Sequence, residues 1–239
     1  MTLRQSQDSY VFAPRERPAV EIAGRAERFP VHRIYCVGRN YAAHAREMGK
    51  DPDREPPFFF TKPPDAIVAN HATIPYPART GNFQHEIELV VALGGAGRDV
   101  PAARALEMVF GYAVGNDLTR RDLQFEARDK GRPWDTGKAF DRSAAVTAIR
   151  PVAIVGHVAK GRIWCAVNGE IRQQGEVSDL IWSVPELIAE LSGLFELAPG
   201  DLIFTGTPAG VGPLRPGDRV EGAVEGLETL VTTIAPESR

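Results

Sequence analysis

The chain has 239 residues, 43% hydrophobic and 25% charged, enough to bury a core in one large domain or two small ones. Its formal net charge is −3 and its 28 Lys and Arg side chains are scattered, which argues against nucleic acid or an anionic membrane surface as a partner. No apolar run approaches a bilayer span, and Met1–Glu21 lacks the apolar stretch of a signal peptide; Cys36 and Cys165 sit in apolar settings and read as buried free thiols, so a reduced, cytoplasmic protein is expected.

Residues 1–30 mix Pro14, Pro18 and Pro30 with charges and read as an N-terminal arm or small subdomain, with a short strand at Ala19–Ile22. Residues 31–239 form the rest. Ile34–Val37 is the first firm strand, followed by a short helix from Tyr41 to Met48 that stops at Gly49. The polar, proline-rich stretch 50–57 has the composition of a lid. Strands are expected at Phe58–Thr61, Glu86–Leu93 and Phe110–Asp117, and helical spacing runs from Pro101 to Val109 and from Leu118 to Arg128. Beyond these, strands at Ala145–Ile149 and Arg162–Val167 lead to an Asn168-Gly169 turn and a strand at Glu170–Gln174. A helix at Val184–Leu194 precedes the last strands, which run to Ile234. Many strands with few, separated helices predict an α+β, mainly β fold.

Glu86-x-Glu88 is the sharpest chemical feature. Alternate strand residues share a face about 7 Å apart. Two carboxylates at that spacing repel by about 2–3 kcal/mol at an effective dielectric near 20. An amphipathic strand with a solvated acidic face would tolerate this. Here Ile87, Leu89 and Val91 fill one face while Val90 and Ala92 make the acidic face apolar further along, so both faces are expected to be buried and the pair to share a cation. Asp117, at the end of a glycine-rich strand, is a plausible third oxygen ligand, and three carboxylates without Cys or His favour Mg²⁺ or Mn²⁺. His44 and Glu47 form an i, i+3 pair suited to a general base, though such pairs are common on surfaces. The loop Thr205–Pro213 is rich in small residues and lacks the ending of a phosphate-binding loop; it suits close approach to a small ligand or a tight turn.

Six motifs occur in order: Gly38-Arg39-Asn40-Tyr41-Ala42-x-His44, Phe60-Thr61-Lys62-Pro63, His85-Glu86-Ile87-Glu88-Leu89, Asp117-Leu118-Thr119-x-Arg121-Asp122, Gly137-Lys138-x-Phe140-Asp141 and Thr205-Gly206-Thr207-Pro208-x-Gly210-Val211-Gly212. Together they resemble the motif set of the fumarylacetoacetate hydrolase family over residues 31–234, nearest its fumarylpyruvate-cleaving branch and next its acylpyruvase and oxaloacetate decarboxylase group. The resemblance implies a mixed β-sheet roll with few peripheral helices, a homodimer, and one Mg²⁺ or Mn²⁺ per subunit on Glu86, Glu88 and Asp117. It implies that His44 and Glu47 activate water on a lid, that Lys62 and Lys138 act around an oxyanion, with Lys62 the candidate stabiliser, and that Arg121, Gln124 and the Thr207 loop hold the substrate carboxylate. Asn116 departs from the apolar residue that the resemblance leads one to expect.

The implied reaction is hydrolysis of a 2,4-dioxo acid, with fumarylpyruvate giving fumarate and pyruvate in gentisate-type degradation. Oxaloacetate decarboxylation or keto–enol isomerisation uses related chemistry, and a non-catalytic dimeric domain with a vestigial metal site is the third reading. Fumarylpyruvate carries a distal carboxylate, for which Arg39, Lys50 and Arg54 are the available cations near the lid.

Overall fold

The computed structural model of the protein describes residues 10–42 and 55–236. The larger sheet is mixed and curls around the molecule. Its spatial order is Phe59–Lys62, Ile34–Val37, Leu202–Phe204, Ile87–Leu93, Val109–Asp117, Ala144–Val146 and Ile67–Ala69, with Arg150–Pro151 also pairing with Val109–Asp117. Two of these neighbour pairs are parallel, Ile34–Val37 with Leu202–Phe204 and Ile67–Ala69 with Ala144–Val146. A second sheet orders Glu170–Glu176, Arg162–Val167, Arg219–Val224, Leu230–Ile234 and Thr73–Ile74.

Ile87–Leu93 is central, and every one of its residues is buried. Alternation sends Ile87, Leu89, Val91 and Leu93 into a core shared with Ile163, Val220 and Ile234 of the second sheet. Val90 and Ala92 point the other way, into a smaller cluster with Phe204, Leu202 and Phe29. Each fully buried Val, Leu or Ile contributes about 1.5–3 kcal/mol of transfer free energy, so this strand anchors whatever it carries. Two glycines permit the close packing around it. A Cβ at Gly115 would stand 2.5 Å from Phe204 and Val90, and one at Gly222 would stand 2.4 Å from Ile87.

The strand expected at Ala19–Ile22 spans Ala19–Glu21 and pairs with Arg28–Pro30, a partner the sequence reading did not include. Their Val20 and Phe29 cap the smaller cluster. The helix expected from Leu118 starts only at Arg121 and runs to Asp129. Thr119 and Arg120 instead pair with Gln84 and Phe83, and the Thr119 hydroxyl donates to the Asp117 carbonyl at 2.8 Å, so their backbone is committed to a sheet. The 101–109 stretch divides into a helical turn, Ala102–Ala105, a 3₁₀ turn, Leu106–Met108, and the start of the Val109–Asp117 strand. A single helical turn, Asp135–Lys138, lies between the helix at Arg121 and the strand at Ala144, where the sequence reading placed no element. Val184–Leu194 is helical as expected, closed at its start by a reciprocal Ser183–Glu186 capping box. Cys36 and Cys165 are buried and free. Among the described residues no helix is long and apolar enough to cross a membrane.

Candidate metal centre and active-site cleft

Glu86, Glu88 and Asp117 converge, each offering a carboxylate oxygen within 4.8 Å of the others. Their fractional exposures are 5%, 1% and 1%. Glu86 was expected inside the strand and lies one residue before it. It is nevertheless held in register by the end of the neighbouring strand: its N–H donates to Asn116 Oδ1 at 2.9 Å, and its carbonyl accepts the Asp117 N–H at 2.8 Å. Oxygen-only donors, buried and convergent, fit a hard divalent ion. Burial, then the charges of Asp117 and Glu86, push the Glu88 carboxyl well above the usual carboxylate range.

Three buried cations answer the three carboxylates. Lys138 Nζ donates to Glu86 Oε2, Asp117 Oδ2 and Thr119 Oγ1, each at 2.7 Å, which uses all three ammonium protons. Burial opposes the charge of Lys138, but Asp117 and Glu86 outweigh it and raise its pKa. Lys62, the last residue of its strand, pairs with Asp117 Oδ1 at 2.8 Å and donates to the carbonyls of Leu118 and Lys138. Arg121 Nη2 pairs with Glu86 Oε1, while Nη1 and Nε donate to Gln124 Oε1 at 2.6 Å and Gln84 Oε1 at 2.8 Å. The one-turn helix that carries Lys138 depends on Gly137, where a Cβ would meet Gln124 backbone at 2.8 Å.

The small-residue loop after Leu202–Phe204 serves Glu88. The Gly206 N–H donates to Glu88 Oε2 at 2.7 Å, and Gly206 has φ 102° with Asn40 pressed against it, a conformation that favours glycine. Thr207 Oγ1 donates to the Ile87 carbonyl at 2.7 Å. Gln173, which sequence reasoning passed over, ties these parts together: its Nε2 donates to Thr207 Oγ1 and the Pro208 carbonyl, each at 2.7 Å. Its Oε1 therefore accepts from His85 Nδ1 at 2.8 Å and from the Ile87 N–H at 3.2 Å. Burial lowers the His85 pKa. The signal in the sequence was faint, since Gln173 stands in a strand whose neighbours are mostly exposed polar residues.

A cleft opens from the cluster. Its walls include Arg39, Phe60, Trp134 and Lys138 together with Arg121, Gln124, Phe125 and Arg128 of the helix. The structure thus brings Arg39, Arg121, Gln124, Lys138 and Glu86 to one cavity, whereas Lys62 stands behind Lys138, and Thr207 is engaged with the strand. His44, Glu47, Lys50 and Arg54 lie outside the described residues. Phe125, Arg128 and Trp134 are cleft residues that sequence reasoning did not single out.

Residues 33–235 match the family described as Fumarylacetoacetate (FAA) hydrolase C-terminal. The chain belongs to the fumarylacetoacetate hydrolase family. It is 48% identical over 191 residues to the fumarylpyruvate hydrolase of Ralstonia sp, covering 79% of this chain and 99% of that protein. A fumarylpyruvate hydrolase from Pseudomonas aeruginosa, solved in complex with Mn²⁺ and pyruvate, superposes with a TM-score of 0.94 at 53% identity, covering 96% of this chain and all of that one (100%). The human mitochondrial oxaloacetate tautomerase is 44% identical over 197 residues, 82% of this chain and 89% of that protein. A family whose members here include hydrolases and tautomerases, one of them solved with Mn²⁺, fits an enzyme with a divalent metal centre.

Proposed function

We propose that this chain hydrolyses the C3–C4 bond of an acylpyruvate, with fumarylpyruvate as the substrate, giving fumarate and pyruvate in gentisate-type degradation. The observation that carries this reading is the charge balance of the centre. Three buried carboxylates face three buried cations, Lys62, Lys138 and Arg121, so a divalent ion added there leaves an excess of two positive charges. Fumarylpyruvate is a dianion: its 2-oxo acid carboxylate offsets one of these charges and the enolate formed on C3–C4 cleavage offsets the other, while its second carboxylate lies further out in the cleft. Held by Glu86, Glu88 and Asp117, Mg²⁺ or Mn²⁺, one per subunit of a homodimer, supplies Lewis-acid polarisation and a template for a 2-oxo acid.

The residues of the chain then divide the work. Arg121 and Gln124 hold the carboxylate of the 2-oxo acid at the inner end of the cleft, and the Thr207 loop keeps Glu88 aimed through the Gly206 N–H. We assign His44 the role of the base that takes a proton from water, with Glu47 as its partner in that role, and the hydroxide adds to the C4 carbonyl. The C3–C4 bond breaks, the C4 fragment departs as a carboxylic acid that ionises, and pyruvate is left in the site as its enolate. His44 returns the proton to C3. Lys138 lines the cleft with its three protons committed to Glu86, Asp117 and Thr119, and Lys62 pairs with Asp117 beside it, so we assign both the stabilisation of oxyanion charge as nearby fixed positive charges, with Lys62 the candidate stabiliser.

The 44% identity to an oxaloacetate tautomerase supports a second reading, keto–enol interconversion or decarboxylation of oxaloacetate, also a dianion. Neither reaction needs activated water. Incubating the protein and Mg²⁺ or Mn²⁺ with fumarylpyruvate, acetylpyruvate and oxaloacetate separates the readings. Fumarate and pyruvate from the first substrate are expected. Turnover of oxaloacetate alone overturns the hydrolase reading.

A further inference from the structure

The cleft contains more positive charge than its inner end accounts for. The helix Arg121–Asp129 turns one stripe toward the cavity, with Arg121, Gln124, Phe125 and Arg128 at i, i+3, i+4 and i+7. Arg121 is at the inner end, tied to Glu86. Arg128 lies two turns further out, about 10 Å along the helix axis. Helical side chains lean toward the N-terminus, and the Arg128 guanidinium does so, sitting 4.4 Å from the centre of the Phe125 ring. Its ionic partner is its own neighbour Asp129, at 2.9 Å, with the two side chains 37% and 64% exposed. A solvated pair of that kind is weak and yields readily to a better anion. Arg39 also lines the cleft; its guanidinium stacks 5.0 Å from the Phe58 ring, and Phe58 and Phe60 pack against Trp134.

We propose that Arg128, together with Arg39 of the same cleft lining, forms a subsite for a carboxylate at the far end of the acyl group. The preferred substrates are then acylpyruvates that end in a second carboxylate, not simple alkyl acylpyruvates; this rests on the acylpyruvate reading given above. An extended seven-carbon dioxo diacid separates its two carboxyl carbons by about 7–8 Å. With one end held beside Arg121, the other arrives where Arg128 leans back over Phe125. Two guanidinium groups offer a carboxylate paired, planar donors, and Phe125 and Trp134 give the carbon chain between the charges an apolar lining.

The test compares fumarylpyruvate with acetylpyruvate, which lacks the second carboxylate, in wild type, Arg128→Met and Arg128→Lys. The ratio of kcat/KM between the two substrates is expected to fall at least about 30-fold in Arg128→Met, mainly through KM, and by an intermediate amount in Arg128→Lys, which keeps the charge but not the paired donors. An unchanged ratio, or equal losses on both substrates, overturns the subsite while leaving the acylpyruvate reading intact. Wild-type turnover of neither substrate removes that reading and the subsite with it.

Discussion

Asn116 Oδ1 accepts the backbone N–H of Glu86 at 2.9 Å and so fixes a metal-ligating residue that lies just outside its strand. Asn116 is completely buried, and among the described residues its Nδ2 has no hydrogen-bond partner. A polar side chain in that core is retained against a desolvation penalty, which is reasonable if its acceptor matters to the centre. Asn116→Leu is expected to weaken Mn²⁺ binding about tenfold. Removing the stranded Nδ2 offsets much of the lost hydrogen bond, so the thermal midpoint of the metal-free protein should move little. Calorimetric titration with Mn²⁺ checks this; unchanged affinity would assign Asn116 to the fold alone.

The two glutamates should respond differently to neutralisation. Glu88→Gln keeps an acceptor for the Gly206 N–H and removes a charge that burial and two neighbouring carboxylates disfavour, so the metal-free protein should gain stability. Glu86→Gln leaves Arg121 and Lys138 short of a buried counter-charge and should cost about 3–5 kcal/mol. Both should lose most divalent-ion affinity. Denaturant unfolding with EDTA, beside Mn²⁺ titration, tests the contrast, and equal stability changes would contradict it.

Because the folded Glu88 keeps its proton above the usual carboxylate range, the folded state binds more protons than the unfolded one in that interval. Stability of the metal-free protein therefore falls as pH rises from the ordinary carboxylate pKa toward the raised one, and metal affinity rises over the same window as the proton is displaced. The difference between wild type and Glu88→Gln isolates this slope from other groups. A difference that does not vary with pH would mean that Glu88 is ionised throughout.

Much of this was legible in the chain. The apolar residues Ile87 and Leu89–Leu93 announced a strand buried on both faces, and burial on both faces is what makes Glu88 demand a cation. The Ser183–Glu186 box and the Asn168-Gly169 turn, with φ of 52° and 84°, carried their local geometry in their residue types. Long-range pairing was not legible. Thr119 and Arg120 have helix-compatible neighbours, yet the sheet contact with Phe83 and Gln84 prevails. Gln173 reads as a solvated strand residue until the loop at Thr207 folds over it. Lys138 is remote in sequence from the carboxylates it meets, and only the turn at Gly137 packed against Gln124 brings it there.

His44→Ala should lower hydrolytic kcat by roughly 10²–10⁴, the usual contribution of a positioned base, with divalent-ion binding retained. Any turnover of oxaloacetate should fall less, since it needs no activated water. Product assays on both substrates decide the matter, and equal small losses would exclude His44 as the base.

Hydrolysis itself is tested most directly by turnover of fumarylpyruvate in ¹⁸O-labelled water with Mg²⁺ or Mn²⁺, followed by mass spectrometry of the fumarate. The hydroxide that adds to C4 must end in the newly formed carboxylate, so fumarate carrying one ¹⁸O atom is the expected result. Loss of the substrate without labelled fumarate would contradict the account and leave tautomerisation as the chemistry of this centre.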